Sequence, residues 1–330
     1  MSSNDQPPAE RQRSEDPRDE SVAPAIPVRS SIWYDDGNIV LQAEGTQWKV
    51  HKSILAQNSS VFQDMFSIPQ PPSNDTELEL VEGCPVVTLS DSAEEVEYVL
   101  QAICQREYVG LEEALPLPVI SAFVRLGTKY DIQKLRIEGK KRIFKEFPAD
   151  LDHAHSAVRP EWTFVAEPYC WLELVLFART TGLLCILPHA LYGCCQLYTP
   201  SQIMGGTPQR DGTMVVLSVA DQLACFAGFR AMCTAQAETT YSWAYSKHPP
   251  ASCTSTTCSP IRQQVINLNF TSSPLVIGLQ KFPYRSVLCS ACADQAEEMH
   301  EAGRAKFWVL LPSLFGLPPW EELNKERELE

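Results

Sequence analysis

At 330 residues the chain can bury two cores of ordinary size, and 44% apolar against 21% charged residues is the balance of a soluble globular protein. A net charge of −14 argues against general nucleic-acid binding, which needs a basic face for phosphate. Twelve cysteines behind a polar, proline-rich opening with no apolar leader point to reduced thiols or metal ligands in an intracellular, cytoplasmic or nuclear setting, rather than to disulfides.

In chain order, residues 1–28 offer too little apolar surface to offset the entropy of ordering and are expected to form a disordered tail. Ile39 to Ala43 and Gln47 to Val50 read as a β-hairpin around Glu44-Gly45-Thr46. Ile54 and Leu55 open a short helix, and Ser60 is the expected cap of the next, in which Phe62, Met65 and Phe66 form one apolar stripe. Ile68 to Gly83 reads as loop and Pro85 to Leu89 as a strand. Ser92 with Glu95 has the spacing of a capping box ahead of Val96, Val99, Leu100 and Ile103. Amphipathic helices are predicted over Leu117 to Lys129 and Ile132 to Phe147. Lys140, Lys141 and Arg142 fall on the expected wet face of the second one.

Residues 149–160, which include His153 and His155, read as a linker. Beyond it Leu172 to Leu184, Pro188 to Leu197, Val216 to Ala237 and a final stretch from Ser286 to Val309 have helical periodicity, with a loop expected from Tyr245 to Pro260 and an extended piece at Pro274 to Gly278. The uncharged run from Thr180 to Gln209 is broken by Pro188, His189, Gln196 and Pro200, too soon to span a bilayer. Residues 161–320 are therefore expected to form a mainly helical region, closed by an acidic tail over 321–330.

The order of motifs from Asp36 to Leu135 resembles a BTB/POZ domain. It comprises Asp36 before the strand Ile39-Val40-Leu41 and the corner Val50-His51-Lys52-Ser53-Ile54-Leu55. The helix Ser59-Ser60-Val61-Phe62 with Met65-Phe66, the strand Val87-Thr88-Leu89 and the junction Leu126 to Ile132 with Leu135 follow. The resemblance implies an α+β fold over residues 29–148, a small sheet flanked by helices, and a protein–protein interaction module or scaffold without catalysis. Partners would be other proteins, a second copy of the chain among them, with no nucleic acid, membrane or small-molecule substrate. It also implies a charged interaction pocket at Asp36, His51 and Lys52 near a dimer interface. Only Pro27 to Tyr34 stands where many relatives carry a long N-terminal helix, and Ser67-Ile68-Pro69-Gln70 lacks the acidic element that grips cullin scaffolds. A substrate adaptor of a cullin-class ubiquitin ligase is thus the alternative. Leu187 to Tyr192 and Leu311 to Pro318 resemble segments of uncharacterised fungal, basidiomycete-type BTB proteins.

Most cysteines have a bland reading: Cys104, Cys170, Cys185, Cys194, Cys195, Cys225 and Cys233 sit among apolar residues, as small hydrophobes do, and Cys84 lies in a turn before a strand. Cys253 and Cys258 instead occupy a polar loop, and Cys289 and Cys292 the head of the last helix, where i, i+3 spacing puts both sulfurs on one face. A loop pair with a helix-start pair is a way to build a structural tetrathiolate zinc site, with His248 or His300 as substitutes for one sulfur. Unligated structural thiols and a zinc- or thiol-dependent enzyme in the C-terminal half stay open beside it.

Overall fold

The computed structural model describes residues 26–68, 80–108, 113–152, 162–166, 170–209, 212–246, 250–271 and 274–328. The expected tail up to residue 25, His153, His155 and most of the expected linker, and His248 lie outside them.

The N-terminal region opens with β1 (Val28–Trp33), β2 (Ile39–Ala43) and β3 (Thr46–Val50), followed by α1 (Lys52–Asn58), α2 (Ser60–Ser67), β4 (Leu80–Val81), β5 (Cys84–Thr88), and α3 (Ala93–Leu100), which runs on into a π-helical turn. Then come α4 (Leu117–Lys129) and α5 (Gln133–Glu146). The strands form one sheet in the order β1-β3-β2-β5-β4. Glu44 and Gly45 take left-handed φ values of 44° and 79°. A two-residue turn with both residues there matches the twist of the flanking strands, and it sets Leu41 opposite Trp48 and Val40 opposite Lys49. Strand β1, which was not foreseen, lies parallel to β3 at one edge. Only Ile32 of its six residues is buried, so it has the polarity of an edge rather than the alternation of a strand with a covered face. The Ser30 hydroxyl donates to Glu97 on α3 at 2.8 Å, and the Trp48 indole N–H donates to the same carboxylate.

Two local expectations shift. Ser59, not Ser60, caps α2, because its backbone is still extended and its hydroxyl accepts from the Phe62 N–H at 3.0 Å; Ser60 donates to Asp131 instead. Ser92 caps α3 as expected, but the Glu95 carboxylate accepts from the Ser92 hydroxyl and pairs with Arg125, tying α3 to α4. Helices α4 and α5 cross closely because a side chain at Gly139 would stand 2.9 Å from Val124. Arg142 is not on a wet face: it is buried and donates to Glu138 at 2.7 Å and to the Glu113 carbonyl.

The second half is helical: α6 (Trp171–Thr181), a 3-10 turn at Leu184–Ile186, α7 (Leu187–Leu197), α8 (Pro200–Gly205), the minimal hairpin β6 (Thr207–Pro208) with β7 (Met214–Val215), α9 (Val219–Glu238), α10 (Cys258–Ile266), α11 (Ser290–Leu314) and α12 (Trp320–Leu323). No helix among the described residues is long and apolar enough to cross a membrane. Helix α10 starts inside the expected loop, and Pro260 is tolerated because it falls in the first turn, where its missing N–H costs nothing.

A large core runs from the sheet through α4, α6, α7 and α9 to the C-terminal half of α11. The buried Glu146 carboxylate fastens the segment after α5 by accepting from the N–H groups of Thr163, Phe164 and Val165 at 2.9, 2.6 and 3.3 Å. Cys185, Cys194, Cys195 and Cys225 are buried in this core, and Cys104, Cys170 and Cys233 line it half-buried. A smaller core collects Tyr241, Trp243 and Ala244 after α9, Cys258 and Val265 on α10, and Leu288, Cys292, Ala293 and Ala296 at the start of α11.

Candidate metal centre and interaction surface

The smaller core brings together the four cysteines that stood apart in sequence. Cys258 is the first residue of α10 and Cys289 immediately precedes α11, with Cys292 in that helix's first turn. Cys253 comes from the connecting loop, where its N–H bonds the Pro250 carbonyl at 2.9 Å. All four sulfurs lie within 4.8 Å of one another, and the Sγ atoms of Cys289 and Cys253 are 3.9 Å apart. A disulfide needs about 2.05 Å, whereas a tetrahedron with metal–sulfur bonds of about 2.3 Å has edges of about 3.8 Å. Four sulfurs this close could share one metal ion.

The thiols differ in environment. The backbone N–H groups of Cys292 and Thr254 face the Cys289 sulfur and push its pKa down to about 6, as the open start of a helix favours an anion. Burial pushes Cys292 the other way, up to about 12. The Cys289 N–H points at the Cys258 sulfur at 3.4 Å. Both helices begin at or next to a cysteine of the cluster, Cys258 for α10 and Cys289 for α11.

His300 is not among the clustered groups. Its ring is buried, Nε2 donates to the Gln280 carbonyl at 2.8 Å and Nδ1 accepts from the Trp243 indole N–H at 3.2 Å, so both nitrogens are already used. A residue that sequence reasoning missed shares α10 with Cys258. Arg262 lies one turn beyond Cys258 on the buried face of α10, is only 6% exposed, and its Nε and Nη1 meet no acceptor among the described residues. The i, i+4 spacing from Cys258 was the available signal.

On the BTB-like region, Asp36 pairs with His51, Oδ1 to Nε2 at 3.1 Å. This contact holds the Asp36 carboxyl below its ordinary range. The His51 ring lies 5.2 Å from that of Tyr34. Lys52 goes elsewhere: its ammonium stands 5.7 Å over the Phe66 ring, a cation–π arrangement, and its N–H is held by Asn38. The partner of Asp36 is thus the histidine of the expected trio. The buried lysine of this face is Lys49, whose ammonium bonds the Asp35 carbonyl at 3.0 Å and Glu82 at 3.1 Å, while Arg29 grips the other Glu82 oxygen at 2.7 Å. An unpaired ammonium there would be costly, and Glu82 is placed for it by a left-handed turn with Gly83.

A search of curated proteins returns no match to this chain. A family model for the BTB/POZ domain matches residues 35–103, the stretch from just ahead of Asp36 through the hairpin, α1, α2, β5 and α3 into the π-helical turn that follows it. The chain carries a BTB/POZ domain, a small sheet flanked by helices, followed by a mainly helical region.

Proposed function

We propose that this protein is an interaction scaffold that binds other proteins through its BTB domain, with no catalytic step of its own, in the cytoplasm or nucleus. The match over residues 35–103 carries the reading, since that domain is a protein-interaction module. The exposed Asp36 beside His51 supports placing a contact there, because the pair presents charge at the rim of the domain rather than inside it. Capture by the full-length chain, compared with Asp36→Lys and His51→Ala in the full chain, tests the assignment. Specific partners or self-association weakened by either substitution are expected. Retention of every partner by both variants would remove the pocket, and the absence of any partner or self-association would remove the scaffold reading. The fungal kinship read from Leu187–Tyr192 and Leu311–Pro318 rests on those segments alone; in the fold both contribute to the large core.

A second part of the reading concerns the helical region. The four clustered sulfurs are proposed as ligands of a structural zinc ion, a role favoured by their mutual distances. Four protein ligands close the shell and leave no open position for substrate, which weighs against the alternative of a zinc enzyme.

A further inference from the structure

Four thiolates around a divalent cation sum to a charge of −2. A dianion closed into a core is expensive unless opposite charge and hydrogen-bond donors face it. The smaller core supplies both. Helices α10 and α11 begin at Cys258 and Ser290, and the N–H groups of Cys289, Cys292 and Thr254 face sulfurs of the cluster. Arg262, one turn along α10 from Cys258, is a buried cation with two nitrogens lacking an acceptor. The carboxylates at the start and middle of α11 are taken by other arginines: Arg285 binds Asp294 and Glu297, and Arg304 binds Glu301. A guanidinium buried without a counter-charge is as costly as the dianion alone. Each problem resolves the other.

Resting on the zinc reading above, we propose that Arg262 is the counter-charge of the tetrathiolate, so that Cys253, Cys258, Cys289, Cys292 and Arg262 form one centre for a soft, tetrahedral divalent metal. Arg262 is a positioning residue: it binds no metal, but offsets the thiolate charge from one turn along the same helix. With it, the net charge of the loaded centre falls from −2 to −1. The reading also explains why an arginine occupies a helix face otherwise given to Cys258, Ile261 and Val265.

The test uses the full chain and three substitutions: Arg262→Met, Arg262→Lys and, as a control of equal net-charge change on the exposed side of α5, Lys141→Met. Zinc content is measured, then zinc affinity by competition with a chelating dye, then the absorption of the cobalt-loaded protein, whose sulfur-to-metal bands report a four-thiolate tetrahedron. About one zinc per chain is expected in the parent. Arg262→Met should weaken zinc roughly 10- to 100-fold and shift the cobalt bands, while Arg262→Lys retains most of the affinity and Lys141→Met retains all of it. If Arg262→Met does not fold, Arg262→Gln replaces it with the same expected loss. Parent affinity in the neutral variants overturns the role of Arg262 and leaves the zinc site standing. A parent chain that takes up neither zinc nor cobalt overturns the site itself, and the role of Arg262 with it.

Discussion

Between Ile120 on α4 and Leu311 on α11 the large core is broad and mostly aliphatic and aromatic, with its cysteines scattered among several helices, whereas the smaller one around Tyr241 and Trp243 gathers four sulfurs within 4.8 Å of one another. The two also differ in how sequence distance is spent. In the large core neighbouring helices cover one another's apolar faces, as α4 and α5 do across Gly139. In the smaller core a loop, the short helix α10 and the first turns of α11 meet with few aliphatic residues between them. Apolar area removed from water stabilises by roughly 25 cal/mol per Å², so the thin core gains more from a cross-link such as the proposed zinc than the large one does. The comparison teaches that the two halves of one helix, α11, answer to different forces.

The comparison is broken most forcefully at the sulfurs. Cys292→Ser should drop bound zinc from about one per chain to below about a tenth. Hydrogen exchange should show protection lost at Tyr241–Ala244 and along α10 but kept along α4. Loss of protection on α4 in step would mean the cores do not open separately.

Next in size is the reverse experiment. Phe123 is fully buried in the large core, and Phe123→Ala should cost about 3–5 kcal/mol, read as a lower denaturant midpoint for the whole chain, with zinc content unchanged in the folded fraction. A cost below about 1 kcal/mol would show that this core is not close-packed.

A smaller effect sharpens the contrast through pH. Burial holds His300 below the ordinary imidazole range, so on acidification the unfolded chain takes up a proton that the folded chain resists. Its contribution is complete above roughly pH 6.5 and is lost as pH falls below that. His300→Gln should flatten the pH dependence of unfolding between about pH 6.5 and 5, with equal slopes in both proteins sinking the idea. Smallest of all, Asp36→Asn should leave both cores' unfolding curves superimposed on those of the parent, since Asp36 is exposed and a pair with one solvated member contributes little. A shifted curve would place the Asp36–His51 contact within the fold's framework instead of on its rim.

Much of the BTB region was readable from residues alone, because its elements follow strong local rules. The left-handed Glu44-Gly45 turn, the α4 stripe of Val119, Ile120, Phe123 and Val124, and the Ser92 cap all leave marks within a few positions. Strand β1 escaped because Val28-Arg29-Ser30-Ser31 is polar, as an edge permits. Lys49 and Arg142 escaped because their partners, Glu82 and the Glu113 carbonyl, are far away in sequence. The four cysteines were visible as a set since polar surroundings gave them no other purpose. Arg262 was not, because a single arginine on a short helix looks solvated until the helix is placed.

Helix α11 has 25 residues, so at about 1.5 Å per residue it is a rod of roughly 37 Å. Cys292, Ala293 and Ala296 anchor one end in the smaller core, while Phe307, Trp308 and Leu311 anchor the other in the large one. Midway, the chain after α9 crosses it so closely that a side chain at Gly303 would stand 2.3 Å from the Thr239 carbonyl oxygen. That crossing holds the middle of the rod as the two cores hold its ends, and beyond the second core Trp320 stacks on Trp308 at 4.6 Å and donates its indole N–H to the Trp308 carbonyl. The thiol cluster and the C-terminal turns are thus built on one continuous helix.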